Sequence, residues 1–380
     1  MYNFFKEYSK RPSKKERNKI NICIFYKDRT PFDLRLVTAF ETIAKNNPKY
    51  AFFIVYPEDY EDFKRDIAHD IVYFDYIILQ RDYFDFNIVK TLLNKSKVSD
   101  FKIIYEIDDD LIHMDESNPG YNYYMNIKED LETIISGSDI VTVTTENLKN
   151  QLSYLNKNIH VIKNRLIDSW FEYDNAVALR KNTVKIGYMG SVYHSWDLIL
   201  IEEAIKNVKE YFSNKNISII FELIGGTNEV LDYAEQIEVP QECQEYFKFV
   251  EWFKNIVDWD IAIAPLEQSN INFSKSNLKY LEYAALGIPG IYSNMGPYYQ
   301  CISDEENGVL VCDNSPQSWQ EAIIHLIEDI NLQNKIKENS LNDVKTNYRL
   351  KQSVDEWQNL FENNIKKSNG FKSIFKRFRL

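Results

Sequence analysis

Phe273-Ser-Lys-Ser-Asn-Leu-Lys-Tyr-Leu-Glu-Tyr-Ala-Ala-Leu-Gly-Ile-Pro-Gly290 reads as the start of a helix that carries its own cations. The strand-like run Trp259 to Pro265 precedes it, Ser274 or Ser276 is placed to cap it, and Gly287 with Pro289 stops it. The exposed N–H groups of such a first turn favour an anion. Lys275, Lys279 and Glu282 fall at i, i+4 and i+7 on one face, whereas Leu278, Leu281 and Ala285 form a face suited to burial. Two cations can neutralise a diphosphate, and a carboxylate one turn on can accept hydrogen bonds from ribose or sugar hydroxyls. The plainer reading makes Lys279 and Glu282 a surface pair worth about 0.2–0.5 kcal/mol and the serines simple caps.

Outward from this stretch, apolar runs alternate with helical patterns, the sign of parallel sheets covered by helices. The first half offers strands at 20–26, 51–55, 76–80, 101–107, 140–144 and 160–162. The second half offers them at 185–189, 217–223, 247–250, 261–264, 288–292 and 308–311. Two α/β domains are therefore expected, as 380 residues also imply, with the boundary in the polar stretch from Asp168 to Asn182. The segment from about Val354 to Ile365 has an amphipathic helical pattern, and no solenoid-type repeat is present.

With 44% hydrophobic and 14% aromatic residues the chain is globular, and a net charge of −12 argues against a general nucleic-acid binder. No run of about 20 apolar residues is present and the N-terminus lacks the apolar core of a signal peptide, so a cytoplasmic protein is expected. Cys23, Cys243, Cys301 and Cys312 are scattered without metal-ligand spacing and read as buried thiols.

The 273–290 stretch resembles the nucleotide-sugar motif of the group 1 (family 4) retaining glycosyltransferases. The order of further pieces extends that resemblance over most of the chain. Lys185 to Ser191 is similar to the first strand and donor loop, followed by His194 and Asp197; Phe221 to Gly226 to a later strand and glycine turn; Phe247 to Trp252 to the strand and loop that pass the nucleotide base; and Glu306 to Val311 to the Asn-Gly hairpin. Asp139 to Thr145 and His160 to Asn164 resemble the last strands before the domain crossover. Two departures stand out. Ser274 occupies the place of the family's first glutamate, with Glu282 matching the second, and no Arg or Lys lies between Gly190 and Ile201 to hold a diphosphate, which leaves Lys275 and Lys279 as substitutes.

The resemblance implies a GT-B fold: two Rossmann-like domains with parallel sheets facing a central cleft. An acceptor-binding domain would span 1–170 and a nucleotide-sugar domain 171–350, with a helix at 351–366 crossing back to the first domain and a basic amphipathic tail at 367–380. It further implies a retaining transfer from a nucleoside-diphosphate sugar to a glycan, lipid-linked, surface-polymer or glycoprotein hydroxyl, with no metal or other cofactor. Gly190, Ser191, His194, Gly225, Trp252, Ser274, Ser276 and Asn277 would line the donor, and Lys275, Lys279 and Glu282 would act on it.

A second constellation, Asp108-Asp109-Asp110, follows an apolar run and so falls where doubly wound sheets bind ligands. In the resembled family the equivalent strand end often carries His-Asp, so Asp108 or Asp109 is a candidate near the reacting sugar, with Asp110 and Arg81 on the acceptor side. Gln80, Arg29 and Arg35 are further candidates there. The same acids also fit a helix cap, or the metal site of a single-domain, metal-dependent GT-A transferase. A dehydrogenase is disfavoured because no Gly-x-Gly-x-x-Gly opens a helix after a strand. A non-catalytic sugar-binding or partner-stabilising subunit fits the missing glutamate and donor-loop cations. The stretch from Lys366 to Leu380 carries +6 against −18 for the rest, with Phe371, Ile374, Phe375 and Phe378 at helical spacing, a pattern that suits an anionic membrane surface. Lys10 to Arg17 adds a second basic patch.

Overall fold

The structure is a computed structural model that describes residues 4–7, 18–26, 28–56, 73–82, 85–116, 118–172, 182–191, 195–227 and 229–375, the side chains of 195 and 365–375 excepted. It divides into two units: residues 1–112, 123–164 and 350–380, and residues 113–122 with 165–349.

Unit 1 is built on seven parallel strands, β1 (Phe5–Glu7), β2 (Ile20–Phe25), β3 (Tyr50–Val55), β4 (Tyr76–Gln80), β5 (Lys102–Ile107), β6 (Ile140–Val143) and β7 (Ile159–Val161), in the order β1-β3-β2-β4-β5-β6-β7. The central strands are buried on both faces, which is why they read as continuous apolar runs rather than alternating ones. Helices α1 (Thr38–Asn46), α2 (Phe86–Ser96), α3 (Lys128–Gly137) and α4 (Glu146–Leu152) follow these strands.

Unit 2 has six parallel strands, β8 (Thr183–Gly190), β9 (Ser218–Gly225), β10 (Glu235–Ile237), β11 (Ile261–Ala264), β12 (Gly290–Ser293) and β13 (Val309–Val311), in the order β10-β9-β8-β11-β12-β13. That order winds outward from β8 in both directions, so the switch point lies between β8 and β11. Helices α5 (Glu202–Ser213), α6 (Tyr246–Ile256), α7 (Asn270–Ser274), α8 (Leu278–Ala285), α9 (Pro316–Glu328) and α10 (Ile330–Asn347) belong to this unit. The last helix, α11 (Leu350–Phe375), returns to unit 1, where Trp357 and Phe361 pack on Phe40 and the Tyr76 hydroxyl donates to the Phe361 carbonyl at 2.8 Å.

Twelve expected strands met one correction. Residues 247–250 lie in α6, because Tyr246, Val250 and Phe253 at i, i+4 and i+7 supply a buried helical face. The short strands β1 and β10 carry no apolar run that would announce them. Of the four cysteines only Cys23 is buried, and Cys312 is exposed. No helix among the described residues is long and apolar enough to cross a membrane.

Candidate donor site in unit 2 and acidic cluster in unit 1

At the switch point of unit 2, β8 and β9 end side by side in glycine. Gly190 pairs with Gly225, and the Gly226 N–H donates to the Gly190 carbonyl at 2.8 Å. Gly225 has φ +68, and a Cβ there would stand 2.1 Å from the Gly190 oxygen, so no other residue fits without moving backbone. Beneath this turn lies Tyr188, fully buried, its hydroxyl 2.8 Å from where a Gly190 Cβ would be. Tyr283 ties β8 to β11 here: its hydroxyl accepts from the Met189 N–H at 3.2 Å and donates to the Ile263 carbonyl at 3.3 Å. Ser191 is exposed beside Gly190, and His194 lies outside the described residues.

The loop after β11 is fixed by carboxylates. Buried Asp197 accepts from the Glu267 N–H at 2.7 Å and from Asn272 Nδ2 at 3.2 Å. Asp115 accepts from the Asn270 N–H at 2.9 Å, and Ser269 caps α7 by accepting from the Asn272 N–H at 3.2 Å. These bonds hold the turn that delivers Lys275.

The expected helix over 274–285 is broken in two. Ser274 is the buried last residue of α7, and α8 opens at Asn277, whose side chain makes no capping bond, so the N-cap position falls one residue beyond Ser276. Lys275 therefore precedes the helix instead of sharing a face with Lys279 and Glu282. The end is as read: Gly287 at φ +66 donates to the Ala284 carbonyl and Ile288 to that of Tyr283, a Schellman closure.

Lys279 places its ammonium 5.3 Å from the Tyr188 ring centroid. Burial and then the neighbouring Lys275 lower its pKa to about 8, against the pull of Asp197 and Glu282. Glu282 is 4% exposed, and burial pushes its carboxyl up to about 8 despite Lys279. Lys279 is thus a cation with a loosely held proton, and Glu282 a carboxyl that is largely protonated at neutral pH. Such a pair beside bare glycine backbone suits an anion flanked by hydroxyl groups. Trp252 lies within α6 rather than in the strand and loop expected there, and packs on Phe249 at 5.8 Å.

Unit 1 treats its strand ends differently. Arg81, after β4, donates from Nη1 to Asp108 Oδ1 at 2.8 Å, lies 3.6 Å from Asp109 Oδ2, and has Nε 3.4 Å from Asp28 Oδ2. The Asp110 side chain is fully buried and accepts from the Ile112 N–H at 3.2 Å. Arg35 and Gln80, expected near ligand, are core residues that hold buried Glu106: Arg35 Nε pairs with one oxygen, Gln80 Nε2 donates to the other at 2.7 Å, and Arg35 Nη1 also donates to the Ile162 carbonyl and Asn164. Burial raises the Glu106 pKa while Arg35 opposes it. Arg29 lies 3.6 Å from Asp33. Among the described residues no three acidic, His or Cys side chains are grouped to hold a metal. The two doubly wound sheets exclude the single-domain GT-A fold.

Tyr188, Glu267, Asp115 and Asp28 were not singled out from sequence. Tyr188 reads there as one more apolar strand residue, Asp115 and Asp28 become visible only through the backbone N–H and the cation they hold, and Glu267 only through its own N–H, which Asp197 holds.

Residues 183–329 match the family model of the group 1 glycosyl transferases. An uncharacterized glycosyltransferase of Methanocaldococcus jannaschii is 29% identical over 189 residues, a match that covers 48% of this chain and 46% of that one, so less than half of the relative's length is spanned. A glycosyltransferase from Rickettsia africae shares the fold with a TM-score of 0.67 at 13% identity, over 92% of this chain and 99% of that one. HepE from Anabaena, solved with UDP and glucose, does so with a TM-score of 0.63 at 11% identity, over 90% and 100%. These likenesses show a GT-B fold.

Proposed function

We propose that this chain, whose residues 183–329 match the family model of the group 1 glycosyl transferases and which has a GT-B fold, moves a sugar from a nucleoside-diphosphate sugar to an acceptor hydroxyl with retention of configuration. The observation that carries the proposal is the placement of Lys279, with Lys275 acting on its charge, over the Tyr188 ring beneath the Gly190 strand end, at the switch point where doubly wound sheets take ligands. The UDP bound to HepE makes a uridine donor the first to try.

In this reading the diphosphate lies against the glycine turn and the N-terminus of α8. The bond from the anomeric carbon to the β-phosphate oxygen breaks as the acceptor oxygen approaches the same face, and the departing phosphate takes the acceptor's proton. Charge grows on that phosphate, and Lys275 and Lys279 stabilise it more than the ground state. These two cations supply the neutralisation that a divalent metal provides elsewhere, so no metal is required. Glu282, protonated near neutrality, donates to one hydroxyl of the ribose or sugar and accepts from another. On the acceptor side, Asp109 and Asp108 receive hydroxyl protons in hydrogen bonds, with Arg81 and Asp110 holding them in place. We further assign the +6 segment from Lys366 to Leu380 to an anionic membrane surface; cosedimentation with phosphatidylglycerol vesicles that persists after truncation at Ile365 sinks that assignment.

Free nucleotide, measured on a panel of UDP-, GDP- and ADP-sugars with mixed polysaccharide primers, should appear only with acceptor, resist EDTA and vanish in Lys279→Ala. Nucleotide binding without release in any mixture makes the chain a sugar-binding subunit instead.

A further inference from the structure

The first sheet has its own switch point, between β2 and β4, and the residues that follow the strands there are charged: Asp28 after β2, Arg81 after β4, and Asp108 and Asp109 after β5. Arg81 has φ +56, a left-handed backbone that a non-glycine residue seldom adopts, and its N–H donates to the Glu106 carbonyl at 3.0 Å. Its side chain is 12% exposed and its guanidinium is committed to three carboxylates and, at 3.4 Å, to the Tyr124 hydroxyl. The outward-facing groups are the acids, Asp28 and Asp109 being more exposed than the cation they surround. A second observation comes from below. Tyr105 on β5 is fully buried, its hydroxyl has no hydrogen-bond partner among the described residues, and it lies in the electrostatic field of Asp82, Arg81 and Tyr124. Burial, then Asp82, keeps that phenol protonated and so a donor.

Resting on the transferase reading, we propose that this cluster is the acceptor subsite and that it selects an uncharged sugar ring, rejecting a ring that bears phosphate or a uronic carboxylate. Carboxylates accept hydrogen bonds from paired sugar hydroxyls, and an aromatic hydroxyl beneath them offers a donor in return. An arginine free to make a bidentate contact would recognise phosphate. Arg81 is not free for this, because its charge is shared among three aspartates that outnumber it, so an anionic acceptor meets repulsion from these acids. A phosphate-containing lipid carrier or polymer fits only where its charge lies away from the ring that accepts the sugar.

The test is a glycan microarray with matched neutral, sulfated, phosphorylated and uronic members, probed with the full chain. Neutral members should bind at least about tenfold more strongly than their charged counterparts, and Asp28→Asn should narrow that gap severalfold. Tyr105→Phe should weaken the neutral members without changing the gap. Unchanged melting of each variant establishes that it is folded. Equal or stronger binding of the acidic members, or no glycan binding at all, overturns the proposal. A midpoint shift with UDP on the same preparation reports on the donor reading separately: UDP binding with acidic preference overturns the acceptor assignment alone, and neutral preference without any nucleotide binding overturns the transferase reading alone.

Discussion

The two units place opposite chemistry on the same kind of strand end. In unit 1 the arginine after β4 is enclosed by Asp28, Asp108 and Asp109, and a second arginine, Arg35, is consumed by buried Glu106. In unit 2 the strand ends carry no side chain at Gly190 and Gly225, and the cations Lys275 and Lys279 come from the loop and helix beyond β11. Parallel sheets with similar winding thus present an acidic surface in one unit and a bare-backbone, cationic one in the other. The fold fixes where a ligand binds, and a handful of residues after the strands decide its charge.

The contrast is broken most strongly through the buried ions. Arg35→Ala leaves Glu106 without its cation and should cost about 3–5 kcal/mol, seen as a large drop in melting midpoint, because an unpaired buried charge is far worse than a pair. A near-normal midpoint would mean Glu106 is neutral and Arg35 dispensable. On the other unit, Lys279→Ala should behave in the opposite way: the midpoint near neutral pH holds or rises, while calorimetric nucleotide affinity falls by about 1.5–3 kcal/mol, the worth of a hydrogen bond to a charged group. Gly225→Ala should lose about 1–3 kcal/mol of stability through overpacking against the Gly190 carbonyl, and the nucleotide response with it.

A pH titration sharpens the comparison further. Folding raises the Glu282 pKa from 4.5 to about 8, so its contribution to stability is present below 4.5 and lost as pH rises through 8. Folding lowers the Lys279 pKa from 10.5 to about 8, so its contribution is lost below 8 and regained toward 10.5. The melting midpoint should therefore pass through a minimum near pH 8, and Glu282→Gln should remove the falling limb; an unchanged profile in that variant would show that another group sets it. The smallest effect belongs to Trp252→Ala, which should alter nucleotide affinity by less than about 0.5 kcal/mol, since the residue lies within α6. A tenfold loss would return it to the base-binding role.

Buried parallel strands were legible because both their faces are apolar, which leaves uninterrupted runs such as Ile261 to Ala264. The same signal misled at 247–250, where Phe247, Phe249 and Val250 are dense enough to pass for a strand and only the i, i+4, i+7 spacing of Tyr246, Val250 and Phe253 tells otherwise. In the site, Lys279, Glu282 and the two glycines could be read because their types and order carry the chemistry. The break at residues 275–277 could not. Asp197 and Asp115, from distant parts of the chain, pin the Glu267 to Asn272 turn and fold Asn270 to Ser274 into a separate helix, and no local pattern encodes such long-range hydrogen bonds. Arg81 read as an acceptor-side cation for the same reason, since three acids from two strand ends converge on it only in the folded sheet.

The central claim is that unit 2 binds a nucleoside diphosphate through Lys275, Lys279 and the glycine turn. It is tested most directly by the melting midpoint of the metal-free protein titrated with UDP, GDP, ADP and CMP, beside the Lys275→Ala/Lys279→Ala double variant. At about 100 times its dissociation constant the right nucleotide adds about 2.7 kcal/mol of stability. The account predicts that shift for one diphosphate in the native chain and its loss in the double variant. An equal shift in both proteins, or none with any nucleotide, contradicts it.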